Sequence, residues 1–167
     1  ETMAANCLAS SARISTDLSL PTLQAGLSAA LEGLCQQFGW QSGIRCDYIG
    51  PPNQHGMSKL TALSAQQNQA LYLICREALN NVGKHAQASH IKIQLAVDET
   101  GVDLKISDNG RGFAPASCSE NAAIHGTGLG LASMAARAQE IGASLQQTVA
   151  PGQPGCCWEV HLNKLMT

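Results

Sequence analysis

Near residue 88 the spacing of apolar residues changes from helical to extended with no linker between, and this change restricts the fold more than any other feature of the sequence. Leu71, Ile74, Cys75, Ala78, Leu79 and Val82 recur at i, i+3, i+4, i+7, i+8 and i+11, the stripe of one long core helix. Ser64 stands where an N-cap belongs, so the helix is expected over Ala65 to His85. From His90 the period is two: Ile91, Ile93, Leu95 and Val97 alternate with polar residues, Asp98 to Gly101 turns, and Val102, Leu104 and Ile106 alternate again, which describes an antiparallel hairpin. A helix with one apolar stripe followed at once by a hairpin with one apolar face points to a sheet covered by helices on one side.

The remaining segments extend this plan. Residues 3 to 17 carry helix formers without a breaker, and Pro21 opens a second helical pattern through Leu23, Leu27, Ala30, Leu31, Leu34 and Phe38. Ile44 to Ile49 reads as a strand, and Pro51-Pro52-Asn53 makes Gly50 to Met57 a loop. Beyond Asp108, glycine- and proline-containing sequence leads to about Gly128. A helix then follows through Leu129, Leu131, Met134, Ala138 and Ile141, and Gly142 is suited to its left-handed cap. Leu145 to Val149 and Trp158 to Leu162 flank a turn at Pro151-Gly152. The fold class expected is α+β, a two-layer sandwich with a mixed or antiparallel sheet and helices packed on one face. A length of 167 residues suits one domain.

Composition removes several functional classes. Charged residues make up 13% of the chain, and 10 Lys plus Arg against 12 Asp plus Glu leave a formal charge of −2 with no run of either sign. Such a chain presents no polybasic footprint for nucleic acid or anionic lipid. No stretch approaches the roughly 18 apolar residues of a membrane span, and the N-terminus lacks the order of a signal peptide. The seven cysteines are odd in number and form no CxxC pair, which argues for reduced thiols and a cytoplasmic location. The adjacent pair Cys156-Cys157 reads as small apolar fillers on a strand in preference to a redox device.

Three segments carry candidate chemistry. At about 100° per residue, Glu77, Asn81 and Lys84 align on the long helix as a polar stripe away from its apolar one. Oxygen donors beside an ammonium suit a magnesium–phosphate group, although a solvated helix face has the same pattern. Asp108-Asn109-Gly110-Arg111-Gly112-Phe113 directly follows a strand, where two glycines permit sharp bending and close approach of backbone to a ligand. Gly126-Thr127-Gly128-Leu129-Gly130-Leu131 enters a helix whose free N–H groups and dipole can hold phosphate. About a dozen residues separate this cluster from the preceding strand, so it does not fit the dinucleotide-binding βαβ layout.

Together, in this order, the three segments resemble the GHKL (Bergerat) ATP-binding domain, and specifically the catalytic domain of bacterial sensor histidine kinases of the nitrate/nitrite-sensor subgroup. Arg76 to Ser89 is similar to the N box, Asp108 to Phe113 to the G1 box and Gly126 to Leu131 to the G2 box; Ile14 to Leu31 resembles the end of a dimerisation helix and its joint. The resemblance implies a division into residues 1–20, ending a dimerisation and phosphoacceptor helix, and residues 21–167, the ATP-binding domain. It makes ATP and Mg2+ the ligands, Asn81 the magnesium ligand and Lys84 a phosphate contact with His85 close by. Asp108 would accept from the adenine amine, Gly110 and Gly112 would pass the base, and Gly126, Thr127, Gly128, Leu129 and Gly130 would fold over the triphosphate. Residues from about Ala114 to His125 would form the lid. Glu77 stands between two roles, a catalytic base or an organiser of metal and water.

The family's phosphoacceptor histidine lies in an acidic motif that none of His55, His85, His90, His125 and His161 shares. The resemblance therefore implies a phosphoacceptor on a dimerisation domain outside this chain, a response regulator as the next acceptor, and a homodimeric full-length protein anchored in the inner membrane. Asp17-Leu18-Ser19-Leu20-Pro21 lacks the arginine often found at the joint. Gly83 inside the long helix costs about 1 kcal/mol relative to alanine, through close packing or as a neutral substitution. Rival readings are a GHKL ATPase or anti-sigma-type serine kinase, and a nucleotide-gated interaction module without catalysis.

Overall fold

A computed structural model describes residues 23, 25–51, 54–112, 129–149 and 155–163. The order is α1 (Leu27–Ser42), β1 (Arg45–Ile49), α2 (Gln54–Leu60), α3 (Ala65–Asn81) continued by a π-helical turn (Val82–Ala86), β2 (His90–Val97), β3 (Gly101–Asp108), α4 (Leu129–Glu140), β4 (Ala143–Thr148) and β5 (Cys157–Asn163). Among the described residues the five strands form one sheet in the order β1-β2-β3-β5-β4. β1 runs parallel to β2 and the other neighbours are antiparallel, the mixed α+β sheet expected.

Alternation along the strands decides which face is covered. Ile91, Ile93, Leu95, Val102, Leu104, Ile106, Trp158, Val160 and Leu162 point inward and are buried, against Leu71, Ile74, Ala78 and Leu79 of α3, Leu31 of α1 and Met134 of α4. The opposite face carries Lys105 paired with Glu159 at 2.6 Å and His161 paired with Asp103 at 2.7 Å. No helix among the described residues is long and apolar enough to cross a membrane.

Ser64 caps α3 as the sequence requires: its hydroxyl accepts from Gln67 N–H at 3.1 Å while Gln67 Oε1 accepts from Ser64 N–H at 2.9 Å, a reciprocal capping box. The Asp98 turn also forms locally, with Asp98 Oδ1 accepting from Thr100 N–H at 2.7 Å and Gly101 N–H at 3.1 Å.

Three boundaries depart from the sequence reading. α1 begins at Leu27, because Gly26 at φ +94° stands at its N-cap and interrupts the helical pattern between it and Leu23, which is itself helical. Gln54 to Met57, read as loop, open the short helix α2. The long helix is α-helical only to Asn81 and then widens into the π turn, ending at Gln87 in the left-handed conformation with φ +52°. The helix expected over residues 3 to 17 lies outside the described residues. The vicinal cysteines match the filler reading, since both are buried at the start of β5 as free thiols.

Candidate functional site

The polar stripe of α3 meets the first turn of α4. Glu77 and Asn81 are half-buried, and both side chains reach the backbone of Gly130: a methyl group on Gly130 would lie 2.6 Å from Glu77 Oε1 and 3.5 Å from Asn81 Oδ1. A carboxylate at the start of a helix is favoured by the free N–H groups and dipole there. A side chain at position 130 would displace the Glu77 carboxylate from this position and touch the Asn81 oxygen at contact distance. Lys84 and His85 follow on the π turn and are exposed.

The π turn is held by the segment after β3. Arg111 N–H donates to Ala86 O at 2.8 Å, and Arg111 Nε donates to His85 O at 2.9 Å. Gly110 packs so tightly here that a methyl on it would lie 2.2 Å from Ala86 O. Asn109 ties the same junction from the other side, its Oδ1 accepting from Ser89 N–H at 3.0 Å and His90 N–H at 2.9 Å and its Nδ2 donating to Ser89 Oγ at 2.9 Å. π turns recur where a helix is opened at a functional site. Here the carbonyls of His85 and Ala86 serve the glycine-rich segment.

Asp108 ends β3, half-buried and fixed on both sides. Its Oδ1 accepts from Gly110 N–H at 2.8 Å and its Oδ2 from Cys156 N–H at 3.3 Å, while its own N–H donates to Cys156 O at 3.0 Å. A carboxylate has about four acceptor positions, so this one keeps capacity for an incoming donor. Gly155, at φ +117°, lets β5 pass Asp108; a methyl there would lie 1.8 Å from Asp108 O. Burial pushes the Cys156 thiol up to about 11, with the Asp108 carboxylate adding to the effect against a hydrogen bond from Gln147. Cys156 is thus a neutral thiol at pH 7.

The structure therefore brings Glu77, Asn81 and Gly130 together and, separately, joins Asp108, Gly110 and Arg111 to the π turn that carries Lys84 and His85. Gly112, at φ +69°, sits against Gly155 O. Gly126, Thr127 and Gly128 and the expected lid lie outside the described residues, and Leu129 is placed only as the first residue of α4. Sequence reasoning missed Asn109, Arg111 and Gly155 as the residues that bind these segments together. The sequence placed Asn109 and Arg111 in a glycine-rich segment and set a turn at Pro151-Gly152, but the partners of Asn109, Arg111 and Gly155 are distant in sequence.

The family described as histidine kinase-, DNA gyrase B-, and HSP90-like ATPase matches residues 66–165, from the first turn of α3 to just past β5. The chain belongs to this ATPase family. The sensor histidine kinase MctS of Rhizobium johnstonii is 39% identical over 102 residues, covering 60% of this chain and 21% of that protein. The nitrate/nitrite sensor protein NarX of Escherichia coli is 33% identical over 130 residues, covering 75% of this chain and 19% of that protein. The chain thus spans about a fifth of the length of these curated relatives. Among solved structures, the blue-light activated histidine kinase of Erythrobacter litoralis superposes with a TM-score of 0.64 at 16% identity, covering 86% of this chain and 43% of that one. A nucleotide-free catalytic domain of histidine kinase ThkA superposes with a TM-score of 0.61 at 17% identity, over 86% of this chain and 95% of that one. At such identities the structural likeness speaks for the fold, and that fold is the histidine kinase ATPase domain expected from the three motifs.

Proposed function

We propose that this ATPase-family chain is the catalytic domain of a cytoplasmic two-component sensor histidine kinase, one that binds Mg-ATP and passes the γ-phosphoryl group to a histidine outside residues 1–167, from which a response regulator receives it. Residues 1–20 are the end of the dimerisation helix and residues 21–167 the ATP-binding domain of a homodimeric, membrane-anchored protein. The observation that carries the proposal is the meeting of Glu77, Asn81 and Gly130, since two half-buried oxygen donors against a side-chain-free helix start suit a hard cation and the phosphates it accompanies. Magnesium, when bound, neutralises charge developing on the transferred phosphoryl group.

The chain's own groups do the rest. Asp108 accepts the adenine exocyclic amine through its remaining acceptor capacity, which guanine cannot match with a carbonyl at that position. The Asn81 carboxamide oxygen holds the cation, and Lys84 supplies a mobile positive charge to phosphate oxygens. Gly110 and Gly112 let the base lie against backbone, and Gly126 to Gly130 cover the triphosphate. Glu77 orients water or metal at the γ-phosphate, and His85 lines the phosphate end.

The test is phosphotransfer in trans. Incubated alone with γ-labelled ATP, the chain is expected to form no acid-labile phosphohistidine. With the dimerisation segment of its own kinase added, that segment is labelled and a response regulator then removes the label. Stoichiometric phosphate on His85 or His125 of the isolated chain, mapped by mass spectrometry, would refute the proposal.

A further inference from the structure

Cys35 of α1 and Cys46 of β1 face one another with Sγ atoms 2.8 Å apart, both as free thiols. That separation is less than 1 Å longer than a disulfide bond of about 2.05 Å. The two elements are in register around the pair. Eight residues before Cys35 on α1, Leu27 is buried, and Ser28 Oγ lies 2.9 Å from Tyr48 Oη two residues beyond Cys46. One turn after Cys35, Gly39 brings the helix so near the strand that a methyl on it would touch Cys46 Cβ at 3.8 Å. Cys46 shares its face with Tyr48, and Asp47 points the other way, on an edge strand whose register with β2 is continuous from Arg45 to Ile49, so its direction toward α1 is set by the sheet.

We infer that Cys35 and Cys46 are a redox modification site, closed by peroxide into a disulfide that fastens α1 to β1. Cys46 is half-buried and Cys35 is 2% exposed, so the oxidant meets Cys46 first. Cys46 first gives up its proton; its thiolate sulfur attacks one peroxide oxygen, the O–O bond breaks, and the departing hydroxide takes up the released proton, leaving water and a Cys46 sulfenic acid. Cys35 sulfur then attacks Cys46 sulfur; the S–S bond forms, the S–O bond breaks, and hydroxide leaves with the Cys35 proton as a second water. Two thiols lose two electrons and one hydrogen peroxide gains them. Burial pushes both thiols up, with each also influenced by the other. The reaction is therefore slow at neutral pH, and its rate climbs with pH as the thiolate fraction grows.

The cross-link has a route to the candidate site. Phe38, one turn beyond Cys35, packs its ring on Gly83 of the π turn between Asn81 and Lys84, so fixing α1 also fixes the floor under that turn. Cys75, fully buried in α3, is the competing thiol nearby.

The whole chain is reduced, treated with hydrogen peroxide at about pH 8.5, alkylated and digested with trypsin. Cleavage after Arg45 separates Cys35, in the peptide from Ile14 to Arg45, from Cys46, in the peptide from Cys46 to Lys59. The expected product is these two peptides joined, two hydrogens lighter than their sum and parted by dithiothreitol. The melting temperature rises by about 5–10 °C, as closing a loop of this length and a domain of this size imply, and Cys35→Ser and Cys46→Ser each abolish the rise. The inference is overturned if both peptides stay alkylated, if Cys46 proceeds to sulfinic acid with Cys35 free, or if the link joins Cys75 or a second chain. Should the serine variants fail to fold, peptide mapping of the unmodified sequence decides alone.

Discussion

Two glycines of the candidate site respond in opposite ways to the same added methyl group. In Gly110→Ala the new Cβ meets Ala86 at 2.2 Å from its oxygen, 2.8 Å from its carbonyl carbon and 2.8 Å from its Cβ. These are backbone and first side-chain atoms that no rotamer change can move. Relief requires the segment after β3 to separate from the π turn, which breaks the Arg111 N–H bond to Ala86 O and strains that of Arg111 Nε to His85 O. Two hydrogen bonds at about 1 kcal/mol each, with about 1–3 kcal/mol of overpacking, give a loss of about 3–5 kcal/mol. For a domain of this size that is a fall of roughly 6–20 °C in melting temperature. In Gly83→Ala the new methyl lies 3.4 Å from the Phe38 ring, an ordinary contact, on a backbone that is already helical. The change is neutral or stabilises by up to about 1 kcal/mol. Urea titration and thermal melts of both variants, with calorimetry of ATP binding, provide the comparison. Gly110→Ala should bind ATP at least tenfold more weakly even where it remains folded. A Gly110→Ala protein melting within about 2 °C of the parent, or a Gly83→Ala protein as damaged as Gly110→Ala, would refute the reasoning.

Asp108→Ala removes the acceptor for Gly110 and Cys156 N–H along with the proposed adenine contact, so ATP affinity should fall by about 1.5–3 kcal/mol while the weaker GTP affinity hardly changes; equal losses for both nucleotides in calorimetry would contradict the adenine assignment. Ser64→Ala opens the capping box and should cost about 1 kcal/mol in urea unfolding, with no effect on nucleotide affinity because the site lies at the other end of α3. The Asp103 carboxylate raises His161 above its usual value. Its stabilisation is fully present below the unfolded value of about 6.5 and is lost as pH rises through the raised folded value. The pair is partly exposed, so the effect should stay under about 1 kcal/mol, and Asp103→Asn should flatten this part of the stability profile measured by urea titration across pH 5–9.

The elements legible in advance were those whose signal is local. The β2–β3 hairpin follows from alternation on both sides of a turn that Asp98 closes with its own carboxylate. The start of α3 follows from Ser64 at its N-cap. The stripe Glu77, Asn81, Lys84 was visible at helical spacing, and Asp108 with its glycines stood out at a strand end. Gln54 to Leu60 gave no comparable pattern, since a short helix with few apolar residues does not differ in spacing from a loop. The seam between the site's segments was not legible either: Asn109, Arg111 and Gly155 act on residues nineteen or more positions away.

Taken by itself, the sequence determines that this chain forms one long capped helix beside a hairpin, and which faces of each are apolar, because those properties depend on neighbours within about four residues. Tertiary structure alone decides that β1 lies parallel beside β2, that α3 opens into a π turn at Val82, and that Gly130 closes on Glu77 and Asn81. Each of these depends on hydrogen bonds or packing between segments far apart in the sequence: β1 pairs with β2, Arg111 takes the carbonyls of His85 and Ala86, and the first turn of α4 packs on the polar stripe of α3.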